Sequence, residues 1–164
     1  MTSKSKAQGW NTKPRTMLRY IKPGDIFLFE LTSSAYGAGR ILSANSLGHV
    51  AEIFDVIFST PNIPAQDIIT HERLRAIILD SYGLFDKKIY GNWQIIGHDD
   101  NFKQDNLDKI YFSYGEGTGI RVIDALDNER PGTQEDLDKY PAYSPHSDFH
   151  VRTRLFPDYA QKKI

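Results

Sequence analysis

Five histidines and no cysteine set the limits on what this chain can do chemically. Without thiols there is no disulfide, no thiolate zinc centre and no cysteine nucleophile, so acid–base or metal chemistry falls to histidines and carboxylates. His146, Asp148 and His150 alternate along the chain, and in an extended segment that spacing puts all three on one face, where they could share a metal. Ser144 and Pro145 argue for a strand that starts later, and no third or fourth ligand can be named, so neither a metal nor another cofactor is expected. His98-Asp99-Asp100 could form an acid–base cluster, but Gly97 and Asn101 beside it fit an Asx-rich turn better. His49 and His71 each stand alone near the ends of expected elements. An imidazole titrates near neutrality, yet a lone one does not make a site.

The local signatures of phosphate cradles, nucleophile elbows, zinc helices and calcium loops are absent. Gly115, Gly117 and Gly119 do not fit G-x-G-x-x-G, and no helix follows to receive a pyrophosphate, so a hairpin loop is expected there. The densest charged feature is acidic. Asp124, Asp127, Glu129, Glu135, Asp136 and Asp138 face Arg130 alone across that stretch. It reads either as a solvated loop or as a surface for a basic partner, with Tyr140 and Tyr143 as the nearest aromatic anchors, expected to be exposed.

These residues must be positioned by strands. Pro23-Gly24-Asp25 is a turn feeding Ile26 to Leu31, a run of aromatic and branched residues that predicts a strand buried on both faces. A loop over Ser33 to Gly39 leads to a returning strand at Arg40 to Ser43, where Gly37 and Gly39 permit a bulge or a close approach. Val50 to Phe58 also fits helical spacing, but its β-branched and aromatic content and its bracketing by Gly48 and Pro61 predict a strand. Pro64 opens a short helix running to Ile69. Leu74 to Leu79, Trp93 to Ile96, Ile110 to Tyr114 and Ile120 to Ala125 are further strands. Phe149, Val151, Thr153 and Leu155 alternate with His150, Arg152 and Arg154, which predicts a last strand with one wet face. The sum is an α+β, mostly β fold: a bent antiparallel sheet or small SH3-like barrel with one or two short helices.

The 164 residues suit one domain, and 40 % hydrophobic with 25 % charged residues is an ordinary globular composition. No apolar run is long enough to span a bilayer, and Met1 to Arg19 lacks the apolar core of a secretory signal, so a cytoplasmic setting is expected. The overall charge of −1 argues against a dedicated nucleic-acid binder. It hides a polarity: residues 1–24 hold six cations and no carboxylate, leaving −7 on the remainder. The expected organisation is a flexible basic arm over 1–15, one domain over 16–156 and a tail over 157–164.

Lys22-Pro-Gly-Asp-Ile-Phe-Leu-Phe-Glu-Leu31, Tyr36-Gly-Ala-Gly-Arg-Ile-Leu42 and Val50-Ala-Glu-Ile-Phe-Asp55 resemble the opening of the immunity protein 26 family of bacterial polymorphic-toxin systems. Gly91-Asn-Trp-Gln-Ile-Ile-Gly-His98 looks like that family's Trp and Ile-Gly element, and the similarity extends over roughly residues 20–155. The opening K-x-G-D-I-F is also similar to the first strand of PemK-like toxins, over that strand alone. The first resemblance implies a cytoplasmic antidote that binds a cognate toxin without catalysis, and it offers no catalytic residues to carry over; the −7 on the body makes a basic nuclease a complementary toxin. The alternative is a small nuclease or hydrolase using His49, His98 or His150 with nearby carboxylates.

Overall fold

The computed structural model describes residues 9–160. Its main body is a bent six-stranded sheet in the order β5-β1-β2-β3-β4-β9. The strands are β1 (Asp25–Thr32), β2 (Ala35–Asn45), β3 (Gly48–Phe54), β4 (Arg73–Leu79), β5 (Trp93–His98) and β9 (Pro145–His146). Neighbours are antiparallel except β4 and β9, which run parallel. A second, three-stranded antiparallel sheet holds β6 (Tyr111–Tyr114), β7 (Arg121–Asp124) and β8 (Glu129–Pro131). The helices are short: α1 (Ala65–Ile68), α2 (Gln134–Lys139) and α3 (Asp148–Leu155), with a π-helical turn at Tyr82–Asp86. The fold is thus α+β and mostly β, and the large sheet stays open with β5 and β9 at its two edges rather than closing into a barrel.

Both faces of β1 are buried, which explains its unbroken apolar sequence. Phe27, Phe29 and Leu31 point into one core with Ile41, Ile53, Ile77 and Trp93, while Ile26 and Leu28 join Ala38, Phe54, Ile68 and Ile96 on the other side. Phe29 pairs with Gly37 and Phe27 with Gly39 across the β1–β2 ladder. The two phenylalanine rings lie directly on these glycines, where any Cβ would collide with them. That close approach is the reason Ala35 to Gly39 belongs to β2 and not to the expected loop: the glycines carry rings instead of making a turn. Trp93 stacks on Phe29 with ring centroids 4.1 Å apart and planes 11° from parallel. A third cluster joins the sheets, with Leu42, Val50 and Ile78 against Phe112, Ile123 and Ala125.

The run expected as a strand to Phe58 ends at Phe54, after which Phe58 makes only an isolated bridge to Tyr36. The predicted last strand is in fact α3. Ser147 caps it in a reciprocal box in which its side chain accepts from the His150 backbone and His150 Nδ1 accepts from the Ser147 N–H. Buried Asp148 and Val151, with half-buried Arg152 and Leu155, form an inward stripe at helical spacing. The arm expected to be flexible over 1–15 is docked from Gly9 onward: Gly9 donates to the Ile96 carbonyl at the open edge of β5, Trp10 meets Tyr36 edge-on, and Arg15 pairs with Asp86. Residues 1–8 of that arm lie outside the described residues. At the other end Tyr159, placed in the expected tail, packs against the main core.

A buried polar chain fastens α3. The Trp93 indole donates to Asp148 (2.8 Å), Arg152 donates to the other Asp148 oxygen (2.7 Å), and Arg152 also donates to the carbonyls of Glu30 and Leu31 at the irregular end of β1. Replacing Arg152 by Ala strands the Asp148 charge and two carbonyls, so urea denaturation should show a loss of about 3 kcal/mol, and Arg152→Lys should recover only part of it because an ammonium lacks the planar fork.

Candidate partner-binding face

The small sheet and its flanks carry the acidic stretch, and local chemistry decides which of its charges face outward. Asp124 is buried at the end of β7, where its carboxylate accepts from the backbone of Leu126 and Asn128 and from the Asn128 side chain, all within 3.0 Å. It shapes the turn into β8. Asp127 stands at the tip of that turn with φ of +69°. Partial desolvation, then the charges of Asp124 and Glu129, push its pKa up, and the nearby Ser46 backbone on the β2–β3 turn opposes that rise.

Glu129 accepts from Arg121 (2.7 Å) and from the Tyr114 hydroxyl (2.9 Å), and these bonds, the arginine's first, hold its carboxyl below the usual range. Asp136 accepts from the Thr133 backbone and from Arg130 and caps α2, which likewise lowers its pKa. Asp138 is exposed and accepts from Gln134, and Glu135 is exposed. Tyr140 and Tyr143, expected to be exposed anchors, are half-buried because each packs on another tyrosine: Tyr140 on Tyr111 and Tyr143 on Tyr114.

The histidines are dispersed over the fold, apart from His146 and His150, whose rings meet edge-on. His49 is buried and shares a 2.7 Å hydrogen bond with Ser81, and desolvation lowers its pKa. His98 pairs with Asp25 at 2.8 Å, locking the start of β1 to the end of β5. His150 serves the cap of α3. His71 packs edge-on against Phe58. The trio at 146, 148 and 150 is broken up because Asp148 turns to Trp93, and among the described residues no group of three or more such ligands could hold a metal.

Two features escaped the sequence. Glu52, buried in β3, binds Arg40 (2.7 Å) and Arg73 (3.0 Å), and Arg40 reaches Asp99 (2.8 Å) beneath the Phe102 ring. This network lines a pocket of about 290 Å³ together with Lys103 and Asp105, and its own charges are mutually paired. No sequence motif marks it, because the partners come from four separated segments. The other is an aromatic surface around the π-helical turn and the start of α3, where Tyr90 is 76 % and Phe149 66 % exposed beside Tyr82 and Ile89. Its rim is cationic: Lys87 lies over Tyr82, and Lys13 and Arg19 over Tyr20.

What the arrangement offers is a mostly β fold whose ionisable groups chiefly tie elements together. The immunity protein 26 family matches the chain over residues 22–122, more than half its length, and the chain belongs to that family. The match takes in β1 to β6 and ends inside β7, so the whole acidic stretch, with α2 and α3, lies beyond it. No curated protein and no solved structure matches the chain.

His146 gives this region a pH signature. Burial, then the charge of Arg154, pushes its pKa down from 6.5 to about 4, with Arg154 3.4 Å from Nε2, His150 nearby and Nδ1 donating to the Ile78 carbonyl. The unfolded chain therefore takes up this proton first as pH falls, so the contribution is complete above about 6.5 and is lost towards 4. Thermal melts at pH 7 and pH 5 should show a lower midpoint at pH 5, with a smaller drop in His146→Asn.

Proposed function

We propose that this protein neutralises a cognate bacterial toxin by stoichiometric binding in the cytoplasm, without catalysis, and that the acidic stretch faces the toxin. The observation that carries this reading is membership of the immunity protein 26 family over the body of the fold. The distribution of charge supports the choice of face: outside residues 1–24 the chain carries −7, and Asp127, Glu135 and Asp138 are exposed on one connected segment. A basic toxin, such as a nuclease whose substrate is a polyanion, is the complementary partner, with Glu129, Asp136, Tyr140 and Tyr143 supporting that face and Asp124 shaping it.

Purified chain titrated into the toxin domain encoded beside its gene should abolish toxicity and bind at one to one. Association should slow as salt rises from about 0.05 M to about 0.5 M, because screening shortens the reach of surface charge. Glu135→Gln with Asp138→Asn should lower the association rate about tenfold and leave the melting temperature unchanged, since exposed charges contribute little to stability. An unchanged rate in stopped-flow or surface plasmon resonance would place the toxin elsewhere.

A further inference from the structure

The acidic stretch supplies charge, but Tyr140 and Tyr143 are already packed, so a stable interface needs apolar anchors from elsewhere. Two hairpin tips stand side by side at this end of the molecule. The β2–β3 turn carries Leu47, 38 % exposed, and the β7–β8 turn carries Leu126, 43 % exposed. The Ser46 backbone, next to Leu47, lies by the Asp127 carboxylate, next to Leu126, and Ser46 Oγ meets the hydroxyl of Tyr143 in the segment that follows α2 at 2.9 Å. Below them, Ser43 Oγ donates to the Ala125 carbonyl at 2.6 Å in a buried contact, above the cluster of Leu42, Val50 and Ala125. Each tip is also closed from within. Asn45 Oδ1 accepts from the backbone of Leu47 and Gly48, and Asp124 does the same for Leu126 and Asn128.

We infer that the paired tips form the anchoring seat for the toxin, with Leu47 and Leu126 receiving an apolar side chain of the partner and Asp127 and Glu129 meeting the cations around it. This rests on the neutralisation reading above and names the surface that reading uses. The seat is ordered before binding, because each leucine stands on a turn closed by its own side-chain bonds and the β7–β8 turn is tied to β2 through Ser43 and Ala125, so little ordering entropy is lost on docking. Its charge selects the occupant. Asp127 has no cation on its own turn, and the arginines of the adjoining strands, Arg121 and Arg130, are engaged by Glu129 and Asp136, so a basic protein surface is complementary. A second copy of this chain is a poor fit, since a symmetric contact would press Asp127 against its own counterpart.

The test is binding to the toxin domain encoded beside the gene, by surface plasmon resonance, with oligomeric state read by light scattering and folding by thermal melts. Leu47→Ser with Leu126→Ser should weaken binding at least about thirtyfold, mainly through faster dissociation. Asp127→Asn keeps a residue that tolerates the left-handed backbone and should instead slow association several-fold. If the double variant proves unstable, Asp127→Asn and Leu126→Ser read separately decide the matter in the same way. Wild-type binding that the tip variants leave within threefold would overturn the seat and leave the neutralisation reading standing. Loss of binding in Tyr90→Ser with Phe149→Ser, and not in the tip variants, would overturn it by placing the toxin on the cationic aromatic surface. A wild-type dimer that the tip variants dissociate would overturn it in favour of self-association, and absence of any wild-type binding would overturn the seat and the neutralisation reading together.

Discussion

The structure depends on one steric allowance: two aromatic rings resting on backbone that carries no side chain. Phe27 and Phe29 can lie flat across β2 because Gly37 and Gly39 are their cross-strand partners, and Trp93 then covers Phe29 from the neighbouring strand. Large rings bury much apolar surface for little lost rotamer freedom. It also creates an obligation. A buried indole N–H needs an acceptor, and here the acceptor is a carboxylate, which in turn needs a cation. Asp148 and Arg152 meet those two needs in sequence, and Arg152 spends its remaining donors on the carbonyls at the irregular end of β1.

The second sheet is held differently. Its contact with the first is an ordinary apolar cluster of aliphatic and aromatic side chains, and its polar groups serve mainly to fix turns. That division leaves one end of the molecule free to present charge without burying it. The carboxylates of the acidic stretch accordingly fall into three kinds: one that shapes a turn, two that are held by arginine and local donors, and three that stand in solvent.

Most of the strands were legible because β-branched and aromatic residues mark them, and β1 was legible as doubly buried because its apolar run has no polar alternation. The misreadings have identifiable causes. Gly37 and Gly39 look like turn residues when their real role is to sit under rings, so β2 begins earlier than expected. In α3 two of the four inward positions are Asp148 and Arg152, which hides the helical stripe and leaves the apolar alternation of a strand on show. The cap at Ser147 uses a histidine where a glutamate or glutamine is usual, which removes the other helix signal. The cap of α2 at Thr133 lay inside a segment whose charge dominated its reading. The acidic character of the candidate face was plain, whereas Leu47 and Leu126 were not, because a single leucine in a turn means nothing until another turn is seen beside it.

The fastening of α3 has a consequence for synthesis. Arg152 closes against carbonyls at residues 30 and 31, and Val151 and Phe156 complete the core around Phe29 and Trp93. A nascent chain can pair β1 with β2 and β3 early, since those contacts are local, but the tryptophan's acceptor arrives only when residues 148–156 have emerged from the ribosome. Until then the sheet carries an unfinished apolar face, which is the interval in which chaperones would hold it. Completion of this core therefore waits on the emergence of one short helix.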